Sequence, residues 1–296
     1  MGVPTAPTVS SIVLDALTRF YNSQAPTDPT EIALATTNGF EKVKRDIMAL
    51  GRKWKPLLKT VYQPTVRNVS KYANPADYRE IFSVGIMTGS HTGQLSNIAP
   101  DGSNVTLSVG ETVLKTDAEG AMLLITSGTG INQAVQIASY NTTSKIAILA
   151  AKYTTNPIIG DGYMVCTSNT DLHHYPIQVW EKFDNQGKAG VPDHYIITPN
   201  DTNGDTALLM NPDGVYGLKR RYYADLLLLD DSSALFSFIL RKWQIIFEQG
   251  VYVWKLGEDD DRYQVENQLY QSLLQALMVK ELEGYTPPAQ AATGGQ

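Results

Sequence analysis

Asp231 to Glu283 reads DSSALFSFILRKWQIIFEQGVYVWKLGEDDDRYQVENQLYQSLLQALMVKELE. In its first half Leu235, Phe236, Ile239, Leu240, Trp243, Ile246, Phe247, Val251 and Trp254 recur at helical spacing and predict one broad apolar face. Asp230-Asp231-Ser232-Ser233 offers side-chain oxygens for the free N–H groups of a first turn. Gly257 stands where that helix would end. Glu258-Asp259-Asp260-Asp261 then puts negative charge at the positive end of a second helix, whose apolar positions are Tyr263, Leu269, Tyr270, Leu273, Leu274, Leu277 and Met278. The connection is so short that the two helices are expected to fold back on each other. Trp243, Trp254, Tyr263 and Tyr270 are the candidate packing or interface anchors of this pair. Nothing in it has the pattern of a reaction centre.

Working outward, the N-terminal third is also helical. Val9, Ile12, Val13, Ala16, Leu17 and Phe20 predict a helix over about 8–23, after an extended arm at 1–7. Asp28-Pro29 opens a second helix that runs to about Leu50, with Gly51 as its end. Ile32, Ala35, Phe40, Val43, Ile47 and Leu50 form its apolar face. Lys42, Lys44, Arg45, Arg52, Lys53, Lys55 and Lys59 make a basic run over 41–59 against Glu41 and Asp46. The first six are candidates to face DNA phosphates or an acidic partner; the plainer alternative is a solvated face.

From Leu57 the pattern turns extended, with β-branched and aromatic runs at 60–63, 65–69 and 81–84. Residues 89–170 differ again: charge is sparse, and Gly, Ser, Thr and Asn are frequent. Strand-like runs at 105–109, 121–125, 134–138, 146–149 and 162–165 alternate with turns, which predicts an inserted small β-sandwich or barrel. Further strands are expected at 177–183, 194–198, 206–210 and 217–223, and a flexible tail at 284–296. The fold class that follows is α+β. A helical bundle of N-terminal helices and a long C-terminal helical hairpin is joined by a mid-chain antiparallel β region. The core would comprise 1–88 and 171–296, and the inserted β domain 89–170.

Composition narrows the function. The net charge of −6 argues against binding nucleic acid over the whole surface. No apolar run approaches the roughly 20 residues of a membrane span. Met1-Gly2-Val3-Pro4 lacks the basic and apolar regions of a signal peptide, and the single cysteine, Cys166, allows no intrachain disulfide. His91, His173, His174 and His194 have no metal-ligand spacing. Asp201, Asn203 and Asp205 alternate like the start of a calcium loop, but Pro212 occupies the place of its closing glutamate. Asp101, Glu111, Asp117, Glu119 and Asp161 are the carboxylates a glycan hydrolase could draw on, mostly in turn contexts. The expectation is no catalytic activity, no cofactor and no resident metal.

Several stretches resemble the head-to-tail adaptor (connector) proteins of tailed bacteriophages. They are Thr8 to Leu17, Val191-Pro192-Asp193-His194-Tyr195-Ile196-Ile197, Leu209 to Leu218 with Tyr222-Tyr223, and Gln264 to Leu282. Gln136 to Ala147, with Pro157 and Gly160-Asp161-Gly162-Tyr163, resembles β modules repeated across phage virion proteins. The resemblance implies a structural virion protein at the head–tail junction, made in the host cytoplasm. It implies a homo-oligomeric ring, a dodecamer, that binds the portal protein on one side. Tail nozzle, tube or fibre proteins would bind the other, and DNA would pass through without sequence-specific binding. The alternative within the virion is a tail tube or nozzle subunit whose β module docks fibres or binds glycan.

Overall fold

The structure, a computed structural model, describes residues 7–51, 53–89, 91–180, 188–199, 204–229 and 234–282. The expected class is overturned. The chain is mixed α/β and mostly β-rich, with about 31% strand in four sheets among the described residues, one of seven strands. It is not a helical bundle with a C-terminal hairpin. The physical reason is how loudly each element speaks in sequence. A helix of 23 residues repeats its period six times, whereas strands of two to four residues, such as Lys71–Ala73, His91–Gln94, Asn97–Ile98 and Ser168–Asp171, are too short to show a period. The chain divides into two compact units: residues 1–58, 77–80 and 223–296, and residues 59–76 and 81–222.

The first unit holds the longer helices. Helix α1, Val9–Phe20, starts where Thr8 and Ser11 exchange backbone-to-hydroxyl hydrogen bonds, and it buries Ile12, Val13, Ala16 and Leu17. Helix α2, Pro29–Leu34, is capped by Asp28, whose carboxylate accepts from the Thr30 N–H at 2.8 Å. The next six residues, Ala35–Phe40, form a π-helical segment before α3, Glu41–Leu50. The step of five from Ala35 to Phe40 on the apolar face is the signature of that wider turn. Gly39 sits within it because a Cβ there would lie 2.7 Å from the Trp254 ring.

Helix α4, Ala234–Leu256, departs from helical backbone at Trp243 (φ −113°, ψ 16°) and ends at Gly257, which has φ +67°. The capping residues expected at 230–233 lie outside the described residues. Helix α5 runs Tyr263–Glu281. The acidic run expected in its first turn stands before the helix instead. Asp260 there accepts from the Arg262 backbone and side chain, which terminates the turn that α5 then follows. Phe40 stacks on Phe247 with centroids 4.5 Å apart, and Trp54 meets Trp243 edge-on at 5.7 Å. Arg19 of α1 donates to Gln249 of α4 at 2.6 Å and to Glu266 of α5 at 2.8 Å.

In the second unit the expected sandwich or barrel is one antiparallel sheet of seven strands. Its order is His91–Gln94, Gly162–Cys166, Met122–Ile125, Ala134–Asn141, Ile146–Leu149, Asn104–Thr106 and Asn97–Ile98. A bulge between Ile137 and Ser139 switches the inward face, so that Val135 and Ile137 point in and then Tyr140 does. Leu123, Ile125, Tyr163 and Val165 join the core on one face. Leu124 and Met164, on the other face, pack with Met87 and Cys166. Gly217 permits that approach: a Cβ there would meet Met87 at 2.5 Å and Leu124 at 3.1 Å.

A four-stranded sheet has the order Leu58–Pro64, Gly217–Ala224, Tyr78–Thr88 and Ser168–Asp171. Buried Arg220 on its second strand donates to the Ala73 carbonyl at 2.6 Å and to Gln63 at 2.7 Å. Burial lowers its guanidinium to about 10. A third sheet orders His173–His174, His194–Thr198, Asp205–Leu208 and Lys71–Ala73. The strand expected at 177–183 opens instead with a helical turn, Ile177–Trp180, and 181–183 lie outside the described residues.

Candidate functional site

The four anchor candidates separate by burial. Trp243 and Tyr270 are core residues of the first unit. The Tyr270 hydroxyl donates to Asp46 at 3.1 Å, and burial first, then Asp46, pushes its ionisation well up. Trp254 is half-buried against Gly39, and Tyr263 is half-buried at the start of α5. None of the four makes the outer face of these helices. The residues that do are Phe238, Ile245, Val265, Leu269 and Val279, which are all exposed, Ile245 at 67% and Val265 at 69%. The sequence places Leu269 among the apolar positions of its helix, whereas Phe238, Ile245, Val265 and Val279 fall off the apolar stripes read from the spacing.

Between α4 and α5 lies a groove of about 360 Å³. Its lining includes Ile245, Ile246, Leu273 and Leu277, with Arg241 and Lys280 among the polar residues. Lys242, also there, is neutralised: its ammonium lies 3.0 Å from both oxygens of the buried Glu281. Arg241 and Lys280 are exposed and have no carboxylate partner among the described residues. At the far end of the pair stand Glu258, Asp259 and Asp261, also exposed and without a cation among the described residues. Asp260 is different: hydrogen bonds from Arg262 hold its carboxyl down to about 2.

The basic run does not form a single stripe. Lys42 pairs with Asp46 at 2.6 Å, and Lys53 with Glu80 at 3.0 Å. Lys44 is buried, pairs with Glu41 at 2.9 Å and lies 4.9 Å over the Phe236 ring. Arg45 and Lys55 are exposed without a carboxylate partner among the described residues. Arg52 lies outside the described residues, as do Asp201 and Asn203 of the calcium expectation and the terminal segments 1–6 and 283–296.

The second unit carries a polar network that sequence spacing does not reveal, since its members are 20 and 52 residues apart. Glu111 is 6% exposed. Its carboxylate accepts from the Tyr163 hydroxyl at 2.6 Å and from the Thr112 and Val113 N–H groups, and it meets His91 Nδ1 at 2.8 Å. Burial alone would raise the Glu111 pKa, but the hydrogen bonds, Tyr163 foremost, outweigh it and hold the carboxyl below its ordinary range. A carboxylate on Nδ1 favours the proton there and leaves Nε2 as an acceptor. His91 also lines an open cleft of about 650 Å³ with Asp117, Glu119, Ser168, Asn169 and Cys166. Burial pushes the Cys166 thiol up to about 12, which keeps it protonated at neutral pH.

Among the described residues no group of three or more His, Cys, Asp or Glu is placed to hold a metal ion, and no helix is long and apolar enough to cross a membrane. No protein-family model matches the chain, and no curated protein matches it.

Proposed function

We propose that this chain is a structural subunit of a tailed-phage virion, one copy in a ring between the portal and the tail. The observation that carries the reading is the exposed apolar face of α4 and α5. Phe238, Ile245, Val265, Leu269 and Val279 put five exposed apolar side chains on one helix pair. Such a face favours association with a neighbouring protein surface. The sequence resemblance supplies what that neighbour is: further copies of the chain, the portal, and tail proteins beyond. The basic run is in keeping with a channel that DNA slides through. Lys42, Lys44 and Lys53 are engaged by carboxylates and offer phosphates little net charge.

The test is the mass of the purified chain alone and mixed with a candidate portal ring, followed by class-averaged images. A portal-bound collar is the expected result. A chain that stays at 32.5 kDa and ignores the portal overturns the reading. Binding to tail-tube proteins without the portal moves the chain to the tail nozzle.

A further inference from the structure

We propose that the groove between α4 and α5 receives an amphipathic helix of a different, neighbouring protein, one with apolar residues along a stripe and carboxylates at one end. The inference rests on the reading that this face meets other virion proteins, and it states what such a partner presents. Charge carries it first. The lining of the groove holds three cations, Arg241, Lys242 and Lys280, and one carboxylate, Glu281, in a chain whose formal net charge is −6. Glu281 is 5% exposed and taken by Lys242, which leaves Arg241 and Lys280 exposed without a carboxylate among the described residues. The 3.0 Å contact of Lys242 with Glu281 sets the two uncompensated cations at the same end of the helix pair. Away from that end, residues 267–279 of α5 carry no charge, and neither do 243–247 of α4. A surface that is apolar along its length and positive at one end is complementary to a helix stripe that is apolar along its length and negative at one end.

Shape agrees with charge. Ile245 of α4 and Leu273 of α5 line the groove, and between them the exposed, small Ala276 leaves a hollow for a large apolar side chain. From Leu273 to Lys280 the rise along α5 is about 10 Å, or two turns. A partner residue seated against Leu273 therefore stands about two turns from a carboxylate that reaches Lys280. Trp243 also lines the groove, at the break in the α4 backbone, and its buried indole N–H has no hydrogen-bond acceptor among the described residues. An oxygen of the occupant is the kind of group that this donor lacks within the chain. A small apolar acid fits the observations less well than a helix. Leu269, one turn before Leu273, and Phe238, one turn before Arg241, carry the exposed apolar surface past the groove, and only a longer occupant covers them.

The experiment titrates two synthetic helices, end-blocked and fluorescently labelled, with the full-length chain. Both carry leucines along one stripe; one ends in two glutamates and the other in two lysines. The wild-type chain is expected to bind the glutamate helix about tenfold more tightly than the lysine helix, with a smaller preference in high salt. R241E/K280E should reverse that preference, which a misfolded chain cannot do. A276W fills the hollow at an exposed position and should weaken binding of the glutamate helix about tenfold. Equal affinity for the two helices overturns the inference, as does an unchanged preference in R241E/K280E, full affinity in A276W, or no binding of either helix. The portal mixture described above separates this outcome from the reading beneath it. A portal-bound collar formed by a chain that does not select the glutamate helix overturns the inference and leaves the portal reading standing. Charge-selective helix binding by a chain that ignores the portal does the reverse.

Discussion

The Tyr163 hydroxyl donates to Glu111 Oε2 at 2.6 Å inside the seven-stranded sheet, while accepting the Ser108 N–H at 3.1 Å. One oxygen thus satisfies a buried acceptor and a backbone donor that are distant in sequence. Its removal orphans both. Tyr163→Phe keeps the ring and is expected to lower stability by about 1–3 kcal/mol, the cost of leaving buried polar groups unpaired. Urea unfolding of the two proteins measures it. Coincident midpoints with equal slopes would show that the network does not hold the sheet.

The same carboxylate makes the chain sensitive to acid. Glu111 has its pKa lowered from the ordinary 4.5. A depressed carboxyl contributes stability that is complete above its unfolded pKa and is lost as pH falls through the folded one. Stability should therefore hold from neutrality to about pH 4.5 and decline below it. Glu111→Gln should start less stable at neutral pH and decline less over that acidic window. Parallel declines in the two proteins would assign the acid response to other groups.

How much of this was legible in the sequence depends on the length of each signal. Thr8 and Asp28-Pro29 mark helix starts because capping chemistry is local, and Gly257 marks an end for the same reason. The strand at Ile146–Leu149 was readable from four residues between turns. The class differs from the expectation because α4 and α5 carry long periods, while strands such as His91–Gln94 and Ser168–Asp171 span four residues and find their partners only through pairing with strands distant in sequence. The bulge after Ile137 hides the period of its strand in another way, by changing the inward face midway. The Glu111 network was not legible at all. Tyr163 and His91 reach it only through strand pairing, and no spacing along the chain encodes that.

Gly250 tests packing against propensity. It lies inside α4, where glycine costs about 1 kcal/mol relative to alanine. Yet a Cβ there would meet Val43 Cγ2 at 2.4 Å and the Tyr270 ring at 2.9 Å. Both neighbours are buried and fixed, so neither can swing away. The overpacking cost of about 1–3 kcal/mol should exceed the gain in helix propensity. Gly250→Ala is expected to melt below wild type. A higher melting temperature would mean that Val43 and Tyr270 can move aside.

Cys166 lines the cleft beside His91, which invites a thiol–imidazole reading, and its reactivity decides the matter. Its side chain is buried with Met87, Leu124 and Met164, and burial pushes the thiol up to about 12. At neutral pH the thiolate, which is the reactive form, is then about one part in 10⁵. An aromatic disulfide reagent should leave the native chain untouched over hours and react with one equivalent once the chain is unfolded. His91→Ala should change neither result, because burial and not the imidazole sets the thiol. Prompt reaction of the native protein, slowed by His91→Ala, would instead mark a poised nucleophile and turn the cleft from a structural seam into a site of covalent chemistry.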